Sequence, residues 1–153
     1  MKRLLLFLSI IFLLAGCKST DKKPGTENGK TDKVLTEEEK QQAMADPSNF
    51  TTIEWIDPPV RNLGQLIKGQ TIEVTFRFKN TGNKNLVIQD VTAGCGCTIP
   101  EKPQKPFAPG EEGIIRAKFD GSGHGTISKN ITVRANTKPS EDHILTFQGE
   151  IKE

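Results

Sequence analysis

Between Thr71 and Lys79 apolar and polar side chains alternate without a break. Ile72, Val74, Phe76 and Phe78 fall on one side, and Thr71, Glu73, Thr75, Arg77 and Lys79 on the other. A period of two puts each set on its own face of an extended chain, so this run predicts a strand with one buried face. Asn80-Thr81-Gly82-Asn83 supplies turn residues after it. Shorter runs repeat the pattern at Ile53–Ile56, at Leu86–Ile88 with Val91, at Ile114–Phe119, at Ile131–Ala135 with Ile127 before it, and at Leu145–Ile151. Pro106–Gly110 and Asp120–Gly125 separate them as turns or loops. About seven short strands with no helix between them predict an all-β fold, an immunoglobulin-like antiparallel sandwich over residues 51–153. Phe76, Phe78, Phe119 and Phe147 are its expected large core members.

Ahead of the strands the pattern changes twice. Thr36-Glu37-Glu38-Glu39 has the spacing of a capping box, Lys40–Ala45 suits a helix, and Asp46-Pro47 stops it. One or two turns are too short to be stable alone, so a solvated stub is expected. Residues 18–30 carry no large apolar side chain and read as a polar spacer. At the start, Met1-Lys2-Arg3 is basic and Leu4–Leu14 is apolar except for Ser9. That run is short for a bilayer span and fits the apolar region of a secretory signal. Leu14-Ala15-Gly16-Cys17 resembles a bacterial lipobox, which implies cleavage of residues 1–16 and lipid on Cys17. Residues 17–50 would then link the lipid to the sandwich. The expected address is the cell envelope, with the protein lipid-anchored. The outer membrane is favoured over the inner because Lys18, and not Asp, follows the lipidated cysteine.

Composition narrows the classes. The formal net charge of +2 on 153 residues, with no long basic run, gives no footprint for nucleic acid. The expected partners are the membrane and an envelope protein.

The order of motifs adds a resemblance. Phe76-Arg77-Phe78-Lys79-Asn80-Thr81-Gly82 is followed by Leu86-Val87-Ile88, Gly94-Cys95-Gly96-Cys97-Thr98 and Ala108-Pro109-Gly110. After the strand ending at Phe119 come a glycine-rich loop, Asn136 and Leu145-Thr146-Phe147-Gln148-Gly149. This series resembles a bacterial family of secreted immunoglobulin-like domains, domain-of-unknown-function family 1573. That family is similar in pattern to Hydin-like and major-sperm-protein-like domains. The resemblance implies the fold and the address and no particular activity; the related eukaryotic domains are chiefly scaffolding and binding modules.

Three cysteines occur, and with Cys17 lipidated only Cys95 and Cys97 remain as a pair outside the cytoplasm. Three readings stay open. They are structural thiols, a redox-sensitive disulfide, or a clip for Cu(I) or Zn(II) completed by His124 and His143. Gly96 permits the bend a disulfide would need, but so small a closed loop would stabilise the fold little. Neither histidine has diagnostic spacing to the pair. The glycine-rich loop Gly121-Ser122-Gly123-His124-Gly125 lacks the Lys-Ser/Thr of a phosphate loop. No carboxylate pair stands out as an acid and base, so no catalytic residue and no cofactor are expected. The connection 92–106, with Gly94, Gly96 and Thr98 around the cysteines, is the expected partner-binding loop.

Overall fold

The computed structural model describes residues 33–153. The signal stretch, Cys17 and most of the polar spacer lie outside the described residues. Eight strands follow one short helix, α1 (Glu37–Ala45), and a single 3-10 turn, Pro47–Asn49. The strands are β1 (Ile53–Trp55), β2 (Val60–Ile67), β3 (Ile72–Asn80), β4 (Ile88–Ala93), β5 (Thr98–Glu101), β6 (Glu112–Phe119), β7 (Gly125–Ala135) and β8 (Asp142–Lys152). They form two four-stranded sheets, ordered β1-β3-β6-β5 and β2-β8-β7-β4. The immunoglobulin-like sandwich read from the alternation is present. β3, β6, β7 and β8 show it directly, because their apolar positions fall on the inner faces.

Phe76, Phe78, Phe119 and Phe147 are fully buried, as expected. Phe119 and Phe147 meet across the sheets with centroids 5.5 Å apart. Phe78 takes Phe107 edge-on at 4.9 Å and Trp55 at 5.7 Å, offset geometries that the ring quadrupoles favour. Trp55 also meets His143 at 5.9 Å, which closes one side of the sandwich.

Three expectations are corrected. The sandwich is not antiparallel throughout, because β2 runs parallel to β8, from Val60 opposite Thr146 to Ile67 opposite Lys152. β2 escaped the alternation for a local reason. Its register shifts between Asn62 and Gln65, Gly64 there has φ 71°, and Leu66 alone of the strand is buried. A bulge of this kind breaks the period of two. β5 was hidden inside the expected 92–106 loop, because it is four residues long and contains Pro100. Asp120 N donates to Cys97 O at 3.1 Å, so Cys97, Ile99 and Glu101 aim their backbone at β6. Pro100 then lies on the outer edge, where its missing N–H breaks no ladder bond.

The third correction concerns α1, which packs against β4 and is not a solvated stub. Its capping box is formed as expected. Glu39 N donates to Thr36 Oγ1 at 3.2 Å, and Thr36 N donates to Glu39 Oε2 at 2.9 Å. What holds it down is Lys40, only 1% exposed, whose amine donates to Glu37 Oε1 at 3.0 Å and to Gln104 Oε1 at 2.8 Å. Leu35 N adds a bond to Gln104 O at 2.9 Å, and Lys102 pairs with Glu37 at 3.1 Å. The long apolar stem of a lysine covers surface while its amine finds these partners.

Two asparagines clip one end of the sandwich. Asn80 Oδ1 accepts from Thr51 Oγ1 at 2.8 Å and from Gly82 N at 3.2 Å, while its Nδ2 donates to Lys84 O and Phe107 O. Asn136 Oδ1 accepts from Val87 N at 2.7 Å, and its Nδ2 donates to Asn49 O and Asn85 O. Both are buried. Each bonds backbone groups where strands end.

Candidate functional site: the Cys95–Cys97 crossover

β4 ends at Ala93 in one sheet and β5 begins at Thr98 in the other, so residues 94–97 carry the chain across the sandwich. Gly94 N holds the departure with a bond to Asn130 O at 3.2 Å. The pair is a disulfide, with S–S 2.02 Å and Cα atoms 5.3 Å apart, within the usual range. Free structural thiols are thereby corrected. Both cysteines are half-buried; Cys97 packs against the hydrophobic core, and Cys95 lies between the exposed Gly94 and Gly96. Gly94 and Gly96 are exposed, and a Cβ at either would meet nothing within 4 Å. Gly96 is therefore not kept by a lack of room.

Thr98 is 4% exposed, and its hydroxyl lies 3.8 Å from Cys95 Sγ and 4.0 Å from Cys97 Sγ. A disulfide sulfur carries no proton, so the hydroxyl is the donor in both contacts. The expected partner loop thus splits into an exposed bend, Gly94–Gly96, and a buried hydroxyl, Thr98, that faces the sulfurs.

The metal clip is corrected as well. The sulfurs are bonded to each other, and among the described residues no three His, Cys, Asp or Glu side chains come together to hold an ion. His124 is exposed ahead of Gly125, whereas His143 pairs with Val133. Eight residues of strand separate those register positions, about 26 Å at the usual rise. His143 has a structural role. Thr137 Oγ1 donates to Ser140 O at 2.7 Å, so its remaining contact, His143 Nε2 at 2.7 Å, must supply its own proton. Burial lowers the His143 pKa below its ordinary value, against a smaller opposing pull from Asp142. The loop before His124 is closed locally, with Ser122 N donating to Asp120 Oδ1 at 2.9 Å. Glu111, read beside Glu112, caps its turn by accepting from Ala108 N at 2.8 Å.

One feature had no sequence signal. A cleft of about 420 Å³ lies between α1 and the sandwich, lined in part by Leu35, Gln42, Ala43, Lys84, Val87 and Pro106. The docked helix supplies one of its walls through Gln42 and Ala43. Among the described residues no helix is long and apolar enough to cross a membrane.

Solved structures share the fold. A protein of unknown function from Porphyromonas gingivalis W83 is similar over 69% of this chain and 49% of its own, with TM-score 0.59 and 18% identity. The ASH/PapD-like domain 7 of human CEP192 is similar over 85% of this chain and 99% of its own, with TM-score 0.53 and 14% identity. The secreted serine protease VesC from Vibrio cholerae is similar over 73% of this chain, with TM-score 0.52 and 10% identity. This chain spans about half of the Porphyromonas protein and a quarter of VesC, 49% and 25% of their lengths. At these identities the likeness is one of fold. No curated protein matches the sequence. Residues 55–151 match the family described as Protein of unknown function (DUF1573), and the chain belongs to that family.

Proposed function

We propose that the chain is a binding module of the cell envelope, held to a membrane by lipid on Cys17 and docking an envelope protein by strand addition at β2. Binding is favoured over turnover by where the buried polar groups point. Asn80, Asn136 and Thr137 direct their side chains to the fold's own backbone, and no described buried side-chain polar atom lacks a partner.

The observation that carries the docking reading is the state of the four sheet edges. β5 has Pro100 on its outer edge, and Thr98 N turns back to Cys95 O at 3.4 Å, so it offers no donor between Thr98 and Pro100. β4 lies against α1. β1 is three residues long, and beyond it Asp57 accepts from Arg77 N at 2.8 Å. β2 is the longest of the four, eight residues paired on one side to β8, though interrupted where Gly64 N turns to Asn62 Oδ1 at 2.8 Å and closed at its end by Gln70 N on Ile67 O at 3.1 Å; Val60 and Ile67 are exposed at 59% and 64%. An unpaired edge of that length is a template for another extended chain.

A photo-crosslinking residue at Ile67 of the full chain, expressed in its native envelope, tests the docking. Adducts at Ile67 but not at Ile99 support it, and equal or reversed labelling removes it. The lipid is tested separately. Cys17→Ala should move the chain out of the membrane fraction, and unchanged fractionation refutes the anchor. Density separation of the envelope then checks the preference for the outer membrane.

A further inference from the structure

We propose that the Cys95–Cys97 bond is a thiol–disulfide exchange site. Its reaction partners are thiolates, of a protein or a small dithiol, and Thr98 is the residue that positions and stabilises the departing sulfur. Neither docking at β2 nor the lipid is needed for this chemistry.

Four observations converge. The bond closes a loop of two residues' separation, so it constrains the unfolded chain very little and is a weak staple. The fold has its own core of fully buried phenylalanines and aliphatics, so it does not depend on the bond. The two sulfurs differ. Cys97 rests on the core, while Cys95 sits between two exposed glycines with open space around them. Finally, Thr98 is almost wholly buried, and its hydroxyl has both sulfurs as its side-chain partners. A buried hydroxyl otherwise turns to backbone or water, as Thr137 does to Ser140 O. A donor held at the sulfurs becomes a stronger interaction once one of them carries charge.

The exchange runs as follows. An incoming thiolate attacks Cys95 Sγ, a new S–S bond forms there, and the Cys95–Cys97 bond breaks. Its electron pair leaves on Cys97 Sγ, which accepts a hydrogen bond from Thr98 Oγ1. A second thiolate attacks the incoming sulfur of the mixed disulfide. It releases the oxidised partner and the Cys95 thiolate, and both protein thiolates then take up protons from solvent. Two partner thiols are oxidised to one disulfide as the protein gains two electrons and two protons. The reverse sequence oxidises the protein with a disulfide partner. The rate depends on the leaving thiolate's stability, which is the quantity Thr98 sets.

The test uses the full chain in detergent, oxidised, then treated with dithiothreitol and followed by intact mass and far-ultraviolet circular dichroism. The expected result is a gain of two hydrogens with the spectrum unchanged. Thr98→Val, which keeps the shape and removes the donor, should slow reduction about tenfold, and Thr98→Ser should restore it, as one lost hydrogen bond implies. A bond that survives excess dithiothreitol in the folded protein overturns the proposal, and so does a Thr98→Val rate equal to that of the parent. Should Thr98→Val not fold, Cys95→Ser with Thr98 intact decides. Iodoacetamide alkylation of Cys97 against pH should give a pKa below the ordinary thiol value of about 8.5, and a value at or above it overturns the role of Thr98.

Discussion

The Lys40 amine lies 2.8 Å from Gln104 Oε1, joining positions 64 residues apart. This contact turns a nine-residue helix with no basic residue in its last turn into part of the domain. Helices this short do not persist in water on their own. Lys40→Met keeps most of the buried stem and removes the donor. It should lower the unfolding free energy by about 1–3 kcal/mol, the usual cost of losing hydrogen bonds to a buried charged group. Amide exchange across Leu35–Ala45 should accelerate while β7 and β8 stay protected. Unchanged exchange in the helix would show that Lys40 does not hold it.

Asn80 carries four hydrogen bonds from a fully buried side chain. Asn80→Ala removes the partner of the buried Thr51 hydroxyl and one bond each to the Lys84 and Phe107 carbonyls, of which Phe107 O keeps Leu86 N at 2.8 Å. Equilibrium urea unfolding should report a loss of about 2–4 kcal/mol. Asn136→Ala, at the neighbouring clip, should fall in the same range.

Glycines of the two motifs should behave oppositely. A Cβ on Gly82 would stand 2.1 Å from Thr51 Oγ1 and 2.7 Å from Thr52 N. Gly82→Ala must therefore displace backbone, and should cost more than about 2 kcal/mol. Gly94→Ala and Gly96→Ala meet open space and should change stability by no more than about 0.5 kcal/mol. Thermal unfolding of the three variants side by side distinguishes them.

His143 should give the fold a pH dependence. Its folded pKa lies below the ordinary value of 6.5 because it is half-buried, so in the window between the two the unfolded chain binds more protons. The stability tied to His143 is therefore present above pH 6.5 and is lost as pH falls through the folded value. Asp57, held low by Arg77, keeps its contribution through this window and loses it only below the ordinary carboxylate range. Denaturant midpoints at pH 8 and pH 5.5 should differ for the parent, and the difference should shrink in His143→Phe. A parent midpoint flat across this range would contradict the assignment.

Legibility from sequence followed how local each signal is. β3 and β6 were legible because each alternation lies within one strand that has a buried face. The capping box at Thr36 was legible because its partners are three residues apart. β2 and β5 were not, since an edge strand needs only one partner, and these two carry a bulge at Gly64 and a proline at 100. The sequence marked Asn80 and Asn136 as motif members without showing why. Their bonds go to Phe107 and to Asn49, 27 and 87 residues away.

From the residues in order one obtains the strand faces, the four core phenylalanines, the helix cap and the lipidation expectation at Cys17. All of these are written within about ten residues of chain. Tertiary contact alone decided that β2 joins β8 in parallel, that α1 docks through a lysine, and that Cys95 and Cys97 close on each other beside the Thr98 hydroxyl, about 26 Å of strand separating the two histidines' register positions. The physical reason is that periodicity is a property of neighbouring residues. Which edge is covered, and which side chain meets which, depends on segments that become neighbours only when both sheets have formed.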